Sequence, residues 1–422
     1  MPVERRLAAP MPPLPVWHPV LDGAVRLRAL ELARGVSEAL RAGALRRADP
    51  TLDNGLPSAA LLGAYLARAG LDAGEPEALL EAAAARAADV PLDASLFRGF
   101  TGLAWALAHL DAADADGLEE VDEQLEAVAA GAPAPGHGLD LVSGLTGVGV
   151  YALERLPDPR ARALLARVAV RLTEAAQRAP QGLGWWTPAE HLPPGKRERF
   201  PSGAWDLGLA HGAAGMLAVL AGAHRAEVLT PAGRDVLMGA RTFLEAQCAA
   251  LGANRAPAYV PPTGPAASTR PAWCYGTPGV ALGLFWCARA LDDAEGEARA
   301  LVLARAAARE AQEEEARLEE PGLCHGTAGL AHFFNRLYQA SGDASLGEAA
   351  RHWLQRTLDQ HHAGQGVGGF RARGRQPDGR LGWTEEPGLI VGATGVALAL
   401  LAGASAIEPG WDRTMLFSVR GL

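Results

Sequence analysis

A Gly-x-x-Gly motif recurs along the chain, and this repeat restricts the fold more than any other feature of the sequence. Each copy precedes a stretch of small and apolar residues that predicts a short helix. A helix that is apolar on nearly every side is buried on every side, and glycines at its start let neighbouring backbones approach closely. The seven copies are 55–58, where Ser58 replaces the second glycine, and 99–102, 144–147, 212–215, 276–279, 326–329 and 392–395.

Longer amphipathic helices are predicted between the copies. Asp158 to Ala179 and Ser345 to Gln360 both place apolar residues on one face with a 3.6-residue period. This alternation is typical of helical-hairpin repeats, and an open array would need polar capping repeats. Because the last copy is as apolar as the middle ones, we expect closure into an all-α fold, an α/α toroid with seven inner helices ringed by seven outer helices. The domain is expected to span 1–422, with a Pro-rich N-terminal arm over 1–20.

Three connections are longer than the others, and each ends just before a copy of the motif. They cover 181–205, 252–273 and 364–388, and they are rich in glycine, proline and aromatic residues with short extended runs. Long connections of this kind are usually functional or disordered. We expect short β-hairpin-like loops that form the walls of a mouth where the inner helices begin. Ordinary surface loops are the alternative.

The overall composition restricts the partners and the compartment. A formal net charge of −9 gives no support to nucleic-acid binding, which normally requires a basic face. No apolar run approaches twenty residues, so no transmembrane segment is expected, and the N-terminus shows no secretory signal. Four cysteines are too few for a disulfide framework. These features predict a cytoplasmic protein that reaches a membrane only peripherally, through partners.

The residues just before the first glycine of each copy carry the chemistry. In a closed ring these positions form one annulus at one end of the inner barrel. Cys274 and Cys324 lie two positions before their glycines, and His325 lies one position before. Two thiolates and one imidazole suit zinc, and three protein ligands leave one position open. Cys248 and Cys287 fall within predicted helices and are expected to be buried small hydrophobic residues.

Two further polar residues lie near this annulus. His211 occupies the same register as His325, and a fourth ligand, a general acid or base and a core histidine are three open roles for it. Asp140 is an acid among apolar residues four positions before Gly144. It is expected either to orient His211 or a nearby cation, or to cap the following helix.

Three segments resemble the lanthipeptide cyclase (LanC) family, in particular its class I stand-alone cyclases. They are Leu209–Gly212, Arg270–Gly276 and Cys324–Gly329, and the resemblance extends over nearly the whole chain. It implies an α/α toroid with a central Zn²⁺ ion. The implied reaction is thioether formation, in which a peptide cysteine adds to a dehydroalanine or dehydrobutyrine. The implied partners are a dehydrated precursor peptide, a dehydratase and a transporter.

The resemblance also assigns roles to individual residues. Cys274, Cys324 and His325 match the zinc ligands of the family. The catalytic positions are matched by His211, Asp140, Arg270 and Tyr275. The chain departs from the family pattern at Ser58, which puts the packing of the first helical hairpin in question.

Other functions share parts of this pattern. A LanC-like enzyme that adds glutathione to dehydroamino acids would use the same toroid and zinc. A zinc-stabilised peptide-binding scaffold would need a fourth protein ligand, such as Cys248 or Cys287. A toroidal glycoside hydrolase or terpenoid cyclase would need paired or clustered acids in the mouth, where only Glu385 and Glu386 are adjacent.

Overall fold

The computed structural model of the protein describes residues 16–45, 49–72, 74–112, 116–131, 138–192, 194–252, 254–267, 270–376 and 378–422. Most of these residues are helical. The α-helices of the described residues are α1 (Gly23–Ala39), α2 (Leu56–Arg68), α3 (Pro76–Ala87), α4 (Phe100–His109), α5 (Glu119–Ala130), α6 (Leu145–Glu154), α7 (Pro159–Ala175), α8 (Pro194–Arg199), α9 (Ala213–Arg225), α10 (Pro231–Leu251), α11 (Thr277–Ala290), α12 (Ala294–Glu313), α13 (Thr327–Ser341), α14 (Ala344–Asp359) and α15 (Ala393–Ala404).

The helices form two concentric layers. In the described residues, seven inner helices each begin directly after the first glycine of a motif copy: α2, α4, α6, α9, α11, α13 and α15. α15 packs against α2, so the first and last copies meet and the ring closes. The seven outer helices are α1, α3, α5, α7, α10, α12 and α14, with α1 packed against α15. The prediction of a closed toroid is therefore confirmed.

The second glycine of each motif permits a close approach between a helix and the loop before it. A Cβ on Gly395 would lie 1.9 Å from the carbonyl oxygen of Leu389, and one on Gly329 would lie 1.9 Å from that of Leu323. In the first copy Ser58 takes this position, is buried, and donates from its hydroxyl to the Gly55 carbonyl at 2.9 Å. α2 nevertheless occupies its place in the inner ring.

One predicted helix end is wrong. The amphipathic pattern predicted a helix to Ala179, but α7 ends at Ala175. Residues 177–179 form strand β1 (Gln177–Ala179), which pairs antiparallel with β2 (Gly182–Gly184). Pro180 follows directly, and a residue before proline is disfavoured in the helical region, so the chain turns into a hairpin.

Short strands in the three long connections precede three of the inner helices. β3 (Trp186–Thr187), β4 (Ala204–Asp206) and β5 (Tyr259–Val260) form an antiparallel sheet with β4 in the centre. β6 (Ala372–Arg375) and β7 (Leu381–Thr384) form a hairpin. The short extended runs expected in these connections are thus confirmed, and the end of β4 lies six residues before Gly212.

The last thirteen residues, 410–422, pack among inner helices as a C-terminal plug. This segment begins with the 3₁₀ helix Gly410–Met415, and Asp412 within it is fully buried. The indole N–H of Trp286 on α11 donates to the Phe417 carbonyl at 3.1 Å. The indole of Trp273 donates to the Met415 carbonyl at 2.6 Å. The plug is therefore tied to the residue that directly precedes Cys274.

The N-terminal arm can be followed only from residue 16, because 1–15 lie outside the described residues. Trp17 is buried, and its indole N–H donates to the Ala402 carbonyl on α15 at 2.9 Å. Among the described helices, none is long and apolar enough to cross a membrane.

Candidate active site

Backbone hydrogen bonds join neighbouring motif loops around one end of the ring. The residues involved lie two or three positions before the first glycine of their copies. The bonds run from the N–H of Asp53 to Phe97 O (2.8 Å), Leu389 to Asp53 O (2.7 Å), Cys324 to Ile390 O (2.8 Å), Cys274 to Cys324 O (3.3 Å), Ala210 to Cys274 O (3.4 Å) and Leu141 to Ala210 O (3.1 Å). The annulus predicted from the register is therefore present in the backbone, with these bonds at six of its seven junctions between neighbouring loops.

Cys274 and Cys324 meet in this annulus. The Cys274 N–H donates to the Cys324 carbonyl at 3.3 Å, the two thiols interact, and both side chains are only partly buried. The side-chain hydrogen bond from Cys324 lowers the pKa of Cys274, against the effect of burial and with help from the charges of His211 and Arg270. The same bond raises the pKa of Cys324. One proton of the pair is therefore lost more readily than from an isolated thiol.

The other two cysteines are of a different kind. Cys248 lies on α10 and Cys287 on α11, and both are buried. Burial raises the pKa of each to about 12. Both thiols therefore stay protonated at neutral pH, and the prediction that they are buried small side chains is confirmed.

His325 follows Cys324 and presents a nitrogen without a partner. Its Nε2 atom lies 3.5 Å from Glu320 Oε1, whereas its Nδ1 atom is buried and has no hydrogen-bond partner among the described residues. Burial, together with the charge of Arg270, lowers the pKa of His325 to about 4. The imidazole is therefore neutral at neutral pH, which is the form that binds a metal ion.

The donor set can be compared with that of a zinc site. Within the described ranges, no group of three or more His, Cys, Asp or Glu side chains has the geometry of a metal site. The chemistry of the donors nevertheless fits zinc, because two thiols on adjoining loops, and a neutral imidazole that follows one of them in the chain, are donors that zinc prefers. A buried nitrogen without a partner normally costs free energy, and a metal ion would satisfy it. The three predicted ligands thus fit zinc chemically.

His211 and Asp140 form a close pair across two motif loops. His211 Nδ1 lies 2.6 Å from Asp140 Oδ2, and the other carboxylate oxygen accepts the Ser143 N–H at 2.6 Å. Asp140 therefore contacts His211, as one of the two alternatives expected, and its other oxygen closes the turn of its own loop; it does not cap α6, whose N-cap residue Gly144 has no side-chain hydrogen bond. Burial disfavours a charged His211, but the hydrogen bond and charge of Asp140, with the charge of Asp206, raise its pKa above the ordinary value. The His211 side chain is 42% exposed, so its ring is accessible from the annulus.

Tyr275 and Arg270 lie next to the same cysteine loop. The Tyr275 ring stacks at 6.1 Å from that of His211, and its hydroxyl donates to Asp206 Oδ2 at 3.0 Å. Arg270 Nη2 lies 3.8 Å from Glu320 Oε1. Arg270 and His325 therefore share one buried carboxylate.

Sequence reasoning missed Asp206 and Glu320, although the repeat contains a signal for both. Each lies six positions before the first glycine of its copy. That position is acidic in five of the seven copies, and the full set is Asp49, Asp93, Gly138, Asp206, Arg270, Glu320 and Glu386. The prediction used only the two positions directly before the first glycine, and this acidic position lies farther from it.

Comparison with known proteins identifies the family of the chain and a similar fold. The profile of the lanthionine synthetase C-like protein family matches residues 47–416, which include every residue of the annulus. The chain belongs to this family. Its fold is similar to that of nisin cyclase, with a TM-score of 0.72, 18% sequence identity, and coverage of 92% of this chain and 98% of nisin cyclase. No curated relative matches the chain by sequence. For this lanthionine synthetase C-like protein, the resemblance stated from the motifs and the predicted toroid are both confirmed.

Proposed function

We propose that the protein is a zinc-dependent cyclase that forms lanthionine and methyllanthionine thioether rings in a dehydrated precursor peptide. The observation that carries the proposal is that Cys274 and Cys324 lie on adjoining, hydrogen-bonded loops of the annulus with both thiols partly exposed, close to the His211–Asp140 pair. Membership of the lanthionine synthetase C-like family supports the same reaction. The proposed zinc ligands are Cys274, Cys324 and His325.

Zinc bound to these residues would lower the pKa of a substrate thiol and hold its sulfur at the open fourth position. Two anionic sulfur ligands would keep that sulfur more nucleophilic than neutral ligands would. The three ligands come from two loops, which a backbone hydrogen bond joins at Cys274 and Cys324, and His325 directly follows Cys324. The donor geometry is therefore set by the ring and not by a flexible segment.

The addition is redox-neutral, and its proton balance defines the role of His211. The peptide sulfur forms a bond to the β-carbon of the dehydro residue, and the electron pair of the double bond moves to give an enolate. The thiol loses one proton and the α-carbon gains one. Asp140 accepts the Nδ1–H of His211, so Nε2 is left to hold the transferred proton. His211 acts as acid, as base or as both, and Asp140 raises its pKa above the ordinary value against the effect of burial, which favours the ring's holding a proton.

Arg270 and Tyr275 complete the proposed site. Arg270 is paired with the buried Glu320 and is still 38% exposed, so its remaining N–H groups can face an enolate or a peptide carbonyl. Tyr275 lies between His211 and the β4 strand. The hairpin of β6 and β7 carries Arg371 and Arg373 over the Trp383 ring at 4.8 and 5.4 Å, and it provides a polar wall for an extended peptide. A dehydratase that makes the substrate and a transporter that exports the product are the partners this reaction implies, in the cytoplasm.

The test is an assay with a synthetic peptide that holds one dehydroalanine and one cysteine. Cyclisation leaves the mass unchanged, so the product is detected as loss of the thiol that N-ethylmaleimide labels. We expect zinc-loaded protein to remove this thiol faster than buffer with zinc does. His211→Ala should slow the reaction about 100-fold or more, the usual contribution of a general acid or base, while zinc content stays unchanged. Equal rates with and without protein would refute the proposal.

A second arm separates the cyclase from the related activities. A dehydroalanine peptide without cysteine is incubated with protein and glutathione, and a product heavier by one glutathione would identify a glutathione adder. If the protein is a cyclase, we expect it to add glutathione no faster than buffer does. A peptide-binding scaffold would bind the dehydrated peptide and leave both rates unchanged.

A further inference from the structure

Asp206 is a buried acid whose place in the fold suggests a role in the reaction. It is the last residue of β4, the central strand of the three-stranded sheet, and it is only 4% exposed. Burial raises the pKa of Asp206 to about 6, and the charge of His211 limits the increase. The carboxyl group is therefore mainly ionised at pH 7.

A chain of hydroxyl groups ends at this carboxylate. The Tyr259 hydroxyl donates to the Tyr275 hydroxyl oxygen at 2.7 Å, and the Tyr275 hydroxyl donates to Asp206 Oδ2 at 3.0 Å. The other oxygen, Oδ1, accepts the N–H of Gly208 at 2.8 Å. An ionised carboxylate can only accept hydrogen bonds, so the Tyr275 proton is directed toward Asp206.

The repeat itself shows which of these contacts is structural. Asp49 and Asp93 occupy the same register as Asp206, and each also accepts a backbone N–H two residues later, from Thr51 at 2.8 Å and from Ser95 at 2.9 Å. This turn requires only one carboxylate oxygen. In Asp206 the second oxygen holds the hydroxyl of Tyr275, next to Cys274. Asp206 therefore combines the turn of its counterparts with a contact to the proposed active site.

We propose that Asp206 is a positioning residue that fixes the Tyr275 hydroxyl with its proton turned away from the substrate, so that His211 is left as the proton donor of the site. The inference rests on the proposed cyclase function. Tyr275 then presents only a lone pair of its hydroxyl oxygen to the substrate peptide. This oxygen can accept a hydrogen bond from a peptide N–H or from a protonated His211. Tyr259 strengthens the arrangement, because it occupies the other acceptor position of the Tyr275 oxygen.

Asp206→Asn is the informative substitution, because an amide can keep the turn and reverse the second contact. Its oxygen can still accept the Gly208 N–H, and its NH₂ group then faces Tyr275 and donates to it. The Tyr275 proton would be released toward the substrate. We expect cyclisation to slow about tenfold or more, the effect of losing one hydrogen bond to a charged acceptor. Asp93→Asn is the matched control, since it changes the same turn at an exposed position and should alter the rate less than about twofold.

A double-mutant cycle tests whether Asp206 acts through Tyr275. Asp206→Asn should slow the reaction less in the Tyr275→Phe background than in the wild type, because the contact with the Tyr275 hydroxyl is then absent and only the effect of the Asp206 charge on His211 remains. Zinc content and melting temperature identify any variant that fails to fold. An effect of Asp206→Asn that persists at full size without the Tyr275 hydroxyl would overturn the proposal, as would an equal loss in Asp93→Asn.

A second readout does not depend on catalysis. The exchange of the Tyr275 hydroxyl proton can be followed by NMR on protein with labelled tyrosine, and Tyr275→Phe assigns the signal. We expect exchange to be about tenfold or more faster in Asp206→Asn than in the wild type, and unchanged in Asp93→Asn. Unchanged exchange in Asp206→Asn would refute the positioning role even if the protein cyclises peptides. Failure of the wild type to cyclise, with this exchange difference present, would refute only the proposed function.

Discussion

Asp412→Ala should destabilise the protein strongly, because it removes the anion at the centre of the C-terminal plug. Asp412 is fully buried. Its Oδ2 atom accepts from the Arg336 guanidinium at 2.8 and 2.9 Å and lies 2.8 Å from His332 Nε2. Oδ1 accepts the hydroxyl of Ser418. Alanine would leave the buried positive charge of Arg336 without its main partner.

The size of the effect follows from what Arg336 keeps. Removing one partner of a buried ion pair costs about 3–5 kcal/mol. Arg336 would still contact Glu408 at 3.0 Å and the Pro409 carbonyl at 3.2 Å, so we expect a loss of about 3 kcal/mol, at the lower end of that range. Glu314→Ala is the control, because Glu314 pairs with an Arg317 side chain that is 77% exposed. Such surface pairs contribute about 0–1 kcal/mol.

The assay is urea unfolding at fixed zinc and protein concentration, with midpoints compared at a common slope. Burial would raise the pKa of Asp412, but Arg336 and His332 outweigh it and lower the pKa below the ordinary value. A carboxylate with a lowered pKa stabilises the fold above its unfolded pKa of about 3.9 and loses this contribution as pH falls through its folded pKa. The gap between the two proteins should therefore persist at neutral pH and narrow only in acid. A loss below about 1 kcal/mol at pH 7 would refute the reasoning.

Two further predictions concern the metal ligands and the motif glycines. Cys324→Ala should lose both zinc and cyclisation. Cys287→Ala, which changes a buried thiol on an inner helix, should keep its zinc. Metal analysis of the purified variants checks this, and zinc retained by Cys324→Ala would contradict the ligand assignment. Gly395→Ala should destabilise the fold by about 1–3 kcal/mol or more, the usual cost of overpacking, because its Cβ would lie 1.9 Å from the Leu389 carbonyl oxygen. Urea unfolding measures the loss, and an unchanged midpoint would show that the loop moves freely away from α15.

The ring and its annulus could be predicted because both depend on local repetition. Once each copy starts a buried helix at its first glycine, closure places Cys274 and Cys324 at equivalent positions of neighbouring loops. No long-range information is needed for that step. The pairing of His211 with Asp140 was open from sequence, because a buried acid near a motif can serve either the loop or the histidine.

Contacts made outside the repeat could not be predicted in this way. The C-terminal plug pairs Asp412 with Arg336 across 76 residues, and nothing in the local pattern indicates that pairing. The hydroxyl of Tyr275 reaches Asp206 across two neighbouring loops, and the motif does not indicate which side chains of those loops pair. The end of α7 was missed for a simpler reason, since apolar periodicity continued past the point where Pro180 redirects the chain.

X-ray absorption at the zinc edge tests the central claim most directly, because it counts the sulfur atoms around the metal. For protein purified with zinc and without substrate, the account predicts one zinc per chain with two sulfur ligands near 2.3 Å and nitrogen or oxygen ligands near 2.0–2.1 Å, and a third sulfur on addition of the cysteine-containing peptide. Four sulfur ligands in the resting protein, or no stoichiometric zinc, would contradict it.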